Sequence, residues 1–201
     1  MINPFPGIVP NGGYWVSARW FGSTARMGFT IDGEEELRRR DTDCGAVTKP
    51  DLLAALLALP VGVRIPRDLI SNTMLRTIES APECAVEVDF QGVTRLLAPV
   101  AVPRVAVVEE RNWSIALDRA ARFAPFCERM IAIDSMPSSG DELIFEARLY
   151  GIGVLVGSEL VLPPAPYEDR RYSPSRWLLA ERIFEHRLAD QDARSARTPS
   201  A

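Results

Sequence analysis

The chain has 201 residues, of which 47% are hydrophobic and 25% are charged, and its formal net charge is -4. This size and composition suit one globular domain with a small appendage. The longest uninterrupted apolar run, residues 52–60, is too short to span a bilayer, and the start of the sequence lacks the pattern of a secretory signal. An acidic average argues against a protein that coats nucleic acid nonspecifically, although it permits a local basic groove.

The cysteine and histidine content excludes several kinds of site. Cys44, Cys84 and Cys127 have neither C-x-x-C spacing nor an even number, so the sequence predicts a reduced, cytoplasmic setting. His186 is the only histidine, which argues against a Cys/His zinc site and against Ser-His or Cys-His catalysis. Lys49 is the only lysine among 23 basic residues, so nearly every cation of the chain is an arginine.

Residues 1–66 are predicted to form an N-terminal extension. The segment GGYWVSARWFG has the character of a strand flanked by turns. GEEELRRRD (residues 33–41) predicts a short exposed helix whose arginines, residues 38–40, form a solvated helix end. TKPDLLAALLALP predicts a helix that begins near Thr48 and stops at Pro60.

Residues 67–162 carry the pattern of an α/β core. The order is a helix (PRDLISNTMLRTIESAP), three extended segments (CAVEVDF, VTRLLAPVAV and RVAVVEER), a helix, the strand MIAIDS, a helix ended by Gly151, and the strand IGVLVG. Such an order, α-β-β-β-α-β-α-β, predicts a mixed central sheet flanked by helices. A Pro-rich linker with a C-terminal helix (residues 163–189) and a flexible tail (residues 190–201) are predicted to follow.

Carboxylates stand at the ends of two of the predicted core strands. Asp89 lies near the end of CAVEVDF, while Glu109 and Arg111 end RVAVVEER, and strand alternation places Glu109 and Arg111 on the same side. With the order of elements around them, these residues resemble the PD-(D/E)xK nuclease superfamily, whose restriction-endonuclease-like core has an acid on its second strand and an E-x-K triplet on the next. The resemblance covers about half the chain. In it, Arg111 stands where the family has lysine.

The resemblance implies Mg²⁺- or Mn²⁺-dependent hydrolysis of DNA phosphodiesters. Asp89 and Glu109, on neighbouring strands, are expected to share one cation, with Glu79 as an outer ligand. Lysine can lower its pKa and act as a base, whereas arginine does not deprotonate, so Arg111 is expected to clamp a phosphate instead.

Other interpretations of the same residues remain open. A nuclease-like fold that has lost catalysis can act as a DNA- or protein-binding regulatory module, or pair with a second copy. The helices of residues 34–81 can instead form a small DNA-binding unit. Strand-end acids beside arginines are also common as simple ion pairs. Arg170, Arg171 and Arg176, in RRYSPSRW, mix cations and aromatics as nucleic-acid surfaces do, but a helix-opening turn explains the segment equally well. A membrane partner is not expected.

Overall fold

The computed structural model of the chain describes Ile8, residues 13–168 and residues 172–195. Its contacts divide the chain into two compact units, each built from two stretches of sequence. Unit 1 comprises Met1–Thr30 and Val102–Arg170, and unit 2 comprises Ile31–Ala101 and Arg171–Ala201. This division differs from the predicted boundaries, because unit 1 takes its first strands from the predicted N-terminal extension. In the described part of the chain, none of the helices combines the length and apolar character needed to cross a membrane.

Strands and helices alternate along most of the described chain. In order from the N-terminal side they are β1 (Tyr14–Trp20), β2 (Ser23–Ile31), α1 (Gly33–Asp41), α2 (Pro50–Leu57), β3 (Arg64–Pro66), a short 3-10 helix (Arg67–Leu69), α3 (Asn72–Glu79), β4 (Val86–Val88), β5 (Gly92–Arg95), β6 (Ala101–Glu109), α4 (Trp113–Ala121), β7 (Glu128–Ile133), α5 (Gly140–Tyr150), β8 (Gly153–Val156), β9 (Glu159–Leu162) and α6 (Pro174–Ser195).

Unit 1 is organised around a six-stranded mixed sheet of order β1-β2-β6-β7-β8-β9. β6, β7 and β8 are parallel, whereas β1 with β2 and β8 with β9 are antiparallel. Arg26 contacts Glu109 while Thr30 contacts Arg104, so β2 and β6 run in opposite directions. The predicted α/β class with a mixed sheet is therefore confirmed.

The core of unit 1 lies on both faces of β6 and β7. Trp15, Val105, Val107, Met130 and Leu155 form one buried apolar cluster. α4 and α5 connect the parallel strands, and they contact β7 and β8 respectively. Each helix has a clear local signal, since the Asn112 side chain accepts the backbone N–H groups of the first turn of α4, and Gly151 ends α5 with φ 66°.

Unit 2 contains a separate three-stranded antiparallel sheet of order β3-β5-β4. The predicted series of three core strands is therefore wrong at this point, because β4 and β5 do not join the sheet that contains β6. The physical reason is the turn between them: it reverses the chain within three residues, so β4 finds its partner in β5. The place beside β6 is taken by β2.

Buried ion pairs hold the helices of unit 2 together. Arg39 on α1 is fully buried, and both of its terminal nitrogens donate to the Glu181 carboxylate on α6 at 2.7 Å. Its Nε also donates to Glu35, at 2.8 Å. Burial raises the pKa of Glu35, but hydrogen bonds from Arg38 and Arg39 outweigh it and hold that pKa below its ordinary value. The predicted solvated helix end at residues 38–40 is therefore wrong for Arg39.

A disulfide also crosses unit 2. It joins Cys44, just after α1, to Cys84, just before β4, with a Cα–Cα distance of 5.7 Å. The expectation that all three cysteines are reduced is wrong for this pair, while Cys127 is buried and takes no part in the bond. Disulfides are rare in a reduced cytoplasm, so the predicted compartment gains no support from the cysteines.

Candidate functional site

The two acids of the predicted metal site belong to different sheets. Asp89 follows β4 in the three-stranded sheet of unit 2, whereas Glu109 ends β6 in the six-stranded sheet of unit 1. The prediction that neighbouring strands of one sheet bring these carboxylates together is therefore wrong. Alternation along each strand identified both segments as extended, but it contains no information about which strand pairs with which.

Asp89 stabilises the turn of the β4–β5 hairpin. Its Oδ1 accepts the backbone N–H groups of Gln91 and Gly92 at 2.8 and 2.9 Å. Its Oδ2 lies 3.0 Å from Nη2 of Arg64. The backbone hydrogen bonds from Gly92 and Gln91 lower the pKa of Asp89, so the carboxylate that closes the turn is ionised at neutral pH.

Glu79 also forms an ion pair with an arginine. Nη2 of Arg67 donates to its Oε1 at 2.5 Å, while Nη1 of the same guanidinium donates to the backbone carbonyl of Asp89 at 3.1 Å. Arg67 thus connects the end of α3 to the hairpin turn.

A cleft in unit 1 lies at the carboxyl ends of β6 and β7. Its volume is about 390 Å³, and its charged lining consists of Arg26, Glu109, Glu110, Arg111 and Asp134. In open α/β sheets this edge is where ligands bind, since helices and loops diverge there. The sequence located Glu109 and Arg111 at this edge. Arg26 and Asp134 were not predicted from the sequence, although the position of Asp134 at the end of the predicted strand MIAIDS could have indicated that it lies at this edge.

Arginines neutralise two of the acids in this cleft. Nε of Arg26 lies 2.8 Å from Oε1 of Glu109, and its Nη2 donates to Oε2 at 3.1 Å, so both carboxylate oxygens are engaged. Glu110 forms an ion pair with Arg119 of α4. Within the described chain, the exposed side chains of Arg111 and Asp134 have no ion pair or hydrogen bond, so they are the groups of the cleft that can meet a ligand.

The predicted ligands Asp89, Glu109 and Glu79 do not fit a Mg²⁺ or Mn²⁺ site. Each carboxylate is paired with an arginine of its own unit, and Glu109 belongs to a different sheet from the strand that Asp89 follows. Across the residues that the structure describes, no group of three acidic, histidine or cysteine side chains is arranged to hold a metal ion. The chemistry that the observed site offers is recognition of charged groups by Arg111 and Asp134.

Unit 2 presents a second candidate surface, formed by α3 and the β4–β5 hairpin, which we call the helix–hairpin surface. α3 is anchored by the fully buried Ile78, with Met74 and Leu75 half-buried beside it. Its opposite side exposes Asn72, Thr73 and Arg76 to solvent. At the hairpin turn, Phe90 is 87% exposed. This surface combines a polar helix face with a projecting turn.

The arginines predicted to contact nucleic acid near the start of α6 do not form a described surface. Arg170 and Arg171 lie outside the described residues. Arg176 is buried, with its guanidinium 5.3 Å from the centre of the Tyr172 ring. A side chain in this position cannot reach a phosphate at the surface, so the predicted contact is wrong for Arg176.

Comparison of the chain with family models, with curated proteins and with solved structures gives no match.

Proposed function

We propose that this protein binds duplex DNA through its helix–hairpin surface and does not hydrolyse it. The observation that carries the proposal is the order of elements around α3. The 3-10 helix (Arg67–Leu69) and α3 are separated by only two residues, and the β4–β5 hairpin begins after residues 80–85. In helix-turn-helix proteins a helix that follows a short turn lies in the major groove, and α3 follows such a turn although the element before it is only a 3-10 helix. The proposal agrees with the earlier interpretation that the helices of residues 34–81 form a DNA-binding unit, and it adds the β4–β5 hairpin to that unit.

The exposed face of α3 has side chains suited to reading base edges. Asn72 and Arg76 lie one helical turn apart, and Thr73 lies between them on the same exposed side. Asparagine pairs with adenine and arginine with guanine through two hydrogen bonds each, and threonine packs against the thymine methyl group. Arg76 has no ion pair or hydrogen bond among the described residues, so its guanidinium is available to a base or a phosphate.

The helix–hairpin surface is held in shape before any ligand binds. Arg67 bonds both Glu79 on α3 and the carbonyl of Asp89 in the hairpin turn. Asp89 in turn fixes the turn that carries Phe90 and Gln91. Because α3 and the hairpin turn are held in place before binding, less conformational entropy is lost when the surface binds a ligand.

The cleft of unit 1 supports the non-hydrolytic part of the proposal. In the resembled nuclease superfamily, the strand beside the E-x-K strand provides an acid. In this chain β6 lies between β2 and β7, and β2 presents Arg26 to Glu109. Arg26 and Arg111 stand at the acid and lysine positions, and arginines pair with Glu109 and Glu110, so among the described residues Asp134 is the one carboxylate of the cleft left for a metal that needs several anionic ligands. We therefore regard unit 1 as a nuclease-like core that has lost catalysis.

The charges of the helix–hairpin surface predict how binding depends on salt. Arg64 on β3 and Arg67 in the 3-10 helix already neutralise Asp89 and Glu79 of this surface, which leaves Arg76 as the main cation for a phosphate. Because each phosphate contact contributes about -0.9 to the slope of log K against log salt, we expect a shallow slope of about -1.

Substitution of Arg76 tests the proposal. We expect Arg76→Ala to weaken binding of a fluorescein-labelled, random-sequence DNA duplex about tenfold, which is about 1.4 kcal/mol, because a base or phosphate contact is lost. Fluorescence anisotropy of the full chain measures the affinity. Arg40→Ala, which removes an exposed arginine from α1, serves as the matched control and should bind like the wild type.

Two results would contradict this account. One is the absence of measurable duplex binding by the wild type at low salt. The other is an equal loss of affinity in Arg40→Ala and Arg76→Ala, since that would indicate a nonspecific charge effect without a recognition helix.

A further inference from the structure

Among the described residues, the cleft at the carboxyl ends of β6 and β7 leaves one cation and one anion unpaired. Its two glutamates, Glu109 and Glu110, are each neutralised by an arginine. Arg111 and Asp134 also line the cleft, and within the described chain neither forms an ion pair or a hydrogen bond. They do not pair with each other, since no nitrogen of Arg111 lies within 4.0 Å of a carboxylate oxygen of Asp134. The two charges that remain are therefore opposite and separate.

The sheet places these two charges at the same level. In the parallel pairing of β6 with β7, Glu109 lies opposite Ala132. Arg111 and Asp134 are each two residues further along the chain, beyond the ends of their strands. Neighbouring strands are about 4.8 Å apart, so the two side chains start from adjacent positions and can approach one small ligand from two sides.

An apolar wall accompanies the two charges. A second cavity of about 160 Å³ is lined by Arg111 and Asp134 as well, together with Trp113 and Ile133. Trp113 is half-buried in the first turn of α4. The volume of the main cleft, about 390 Å³, lies within the range of small-molecule sites, which combine apolar walls with a few polar groups that orient the ligand.

We propose that this cleft binds a small zwitterion, namely a free amino acid with an apolar side chain. Arg111 binds the carboxylate, because a guanidinium presents two parallel N–H groups to the two oxygens. Asp134 accepts hydrogen bonds from the ammonium group, and Trp113 provides apolar contact for the side chain. A purely anionic ligand such as phosphate would meet Asp134 as a like charge, and a purely cationic ligand would meet Arg111 in the same way. Only a ligand with both charges satisfies both residues.

Isothermal titration calorimetry of the full chain tests the proposal. Leucine, methionine, phenylalanine and tryptophan are the separate titrants, and we expect at least one of them to bind with a dissociation constant between about 1 µM and 1 mM. The N-acetyl derivative and the methyl ester of that amino acid each lack one of the two charges. Each should bind about tenfold more weakly or worse, since one residue of the cleft then has no partner.

Substitutions of the two charged residues test the assigned contacts. Arg111→Gln and Asp134→Asn should each weaken binding of the same amino acid about tenfold or more. Arg148→Gln and Asp141→Asn, which change exposed charges on α5 of the same unit, are the matched controls and should bind like the wild type. All four positions are exposed, and thermal unfolding of each variant verifies that it is folded.

Three results would overturn the proposal. The first is a wild type that binds none of the four amino acids at concentrations up to about 10 mM, which is above the weakest affinity expected. The second is an N-acetyl derivative or a methyl ester that binds as tightly as its parent amino acid. The third is an affinity that survives both Arg111→Gln and Asp134→Asn. The DNA contact belongs to residues of unit 2, so its outcome is measured separately from this one.

Discussion

Glu181 shows how much of unit 2 depends on a single buried carboxylate. It is fully buried on α6 and accepts hydrogen bonds from Arg39, from the indole N–H of Trp177 and from the backbone N–H of Val47. The Arg39 guanidinium is itself satisfied by Glu35 and the Ala98 carbonyl. A buried ion pair adds little net stability when complete, but removing one partner leaves an uncompensated charge.

Replacement of Glu181 should therefore be costly. We expect Glu181→Ala to lower the free energy of unfolding by about 3–5 kcal/mol, since Arg39 would remain buried without its main partner. Denaturant unfolding followed by circular dichroism measures the change. Glu185→Ala, one turn further along the same helix and exposed, should change the stability by less than about 0.5 kcal/mol. A similarly small effect of Glu181→Ala would show that the ion pair does not form as described.

At the residue scale, sequence reasoning found charged positions but not their environments. Arg39 lies between two other arginines in LRRR, and nothing in that run distinguishes the buried residue from its solvated neighbours. Its distinguishing feature is the pairing with Glu181, which is 142 residues away in sequence. The same limit applies to Glu109, whose partner Arg26 comes from a strand of the predicted extension. Long-range partners of charged side chains cannot be derived from local patterns.

At the scale of elements, local signals gave the series β6, α4, β7, α5 and β8. Long apolar strands alternate there with amphipathic helices, and Gly151 ends α5 as predicted. The prediction that β4 and β5 belong to the same sheet as β6 was wrong, because an alternating pattern is typical of any half-buried strand and does not indicate its partner. β2 pairs with β6 although residues 32–100 separate the two strands in sequence. When so many residues separate two strands, their pairing depends on how the buried faces of both strands pack in three dimensions.

The disulfide should stabilise unit 2 by limiting its unfolded state. Cys44 and Cys84 are 40 residues apart, and closing a loop of that length is worth about 4 kcal/mol by the chain-entropy relation. We expect dithiothreitol to lower the free energy of unfolding of the wild type by about that amount. The double variant Cys44→Ala, Cys84→Ala should be insensitive to the reductant, whereas Cys127→Ala should retain the sensitivity. Equal stability of the wild type with and without reductant would show that the bond contributes nothing.

At the scale of the whole molecule, the acidic average and the proposed DNA contact are compatible. The net charge is -4, yet many carboxylates are neutralised locally by arginines, as at Glu79, Asp89 and Glu109. The helix–hairpin surface therefore presents polar groups with one available arginine, Arg76, and the exposed carboxylate of Glu87, which suits recognition of base edges more than attraction to the backbone. The predicted α/β class with a mixed sheet is confirmed, whereas the predicted ligands Asp89 and Glu109 belong to strands of separate sheets.

The proposal that the protein binds duplex DNA and leaves it intact can be tested in one experiment that measures both properties. A labelled duplex is incubated with the wild type in the presence of Mg²⁺ or Mn²⁺, and the same sample is analysed by fluorescence anisotropy and by a denaturing gel. We predict a bound duplex whose strands stay at full length. Strands that are cut by the wild type but not by Glu109→Ala would contradict the account, because they would show that the cleft of unit 1 is a working nuclease site.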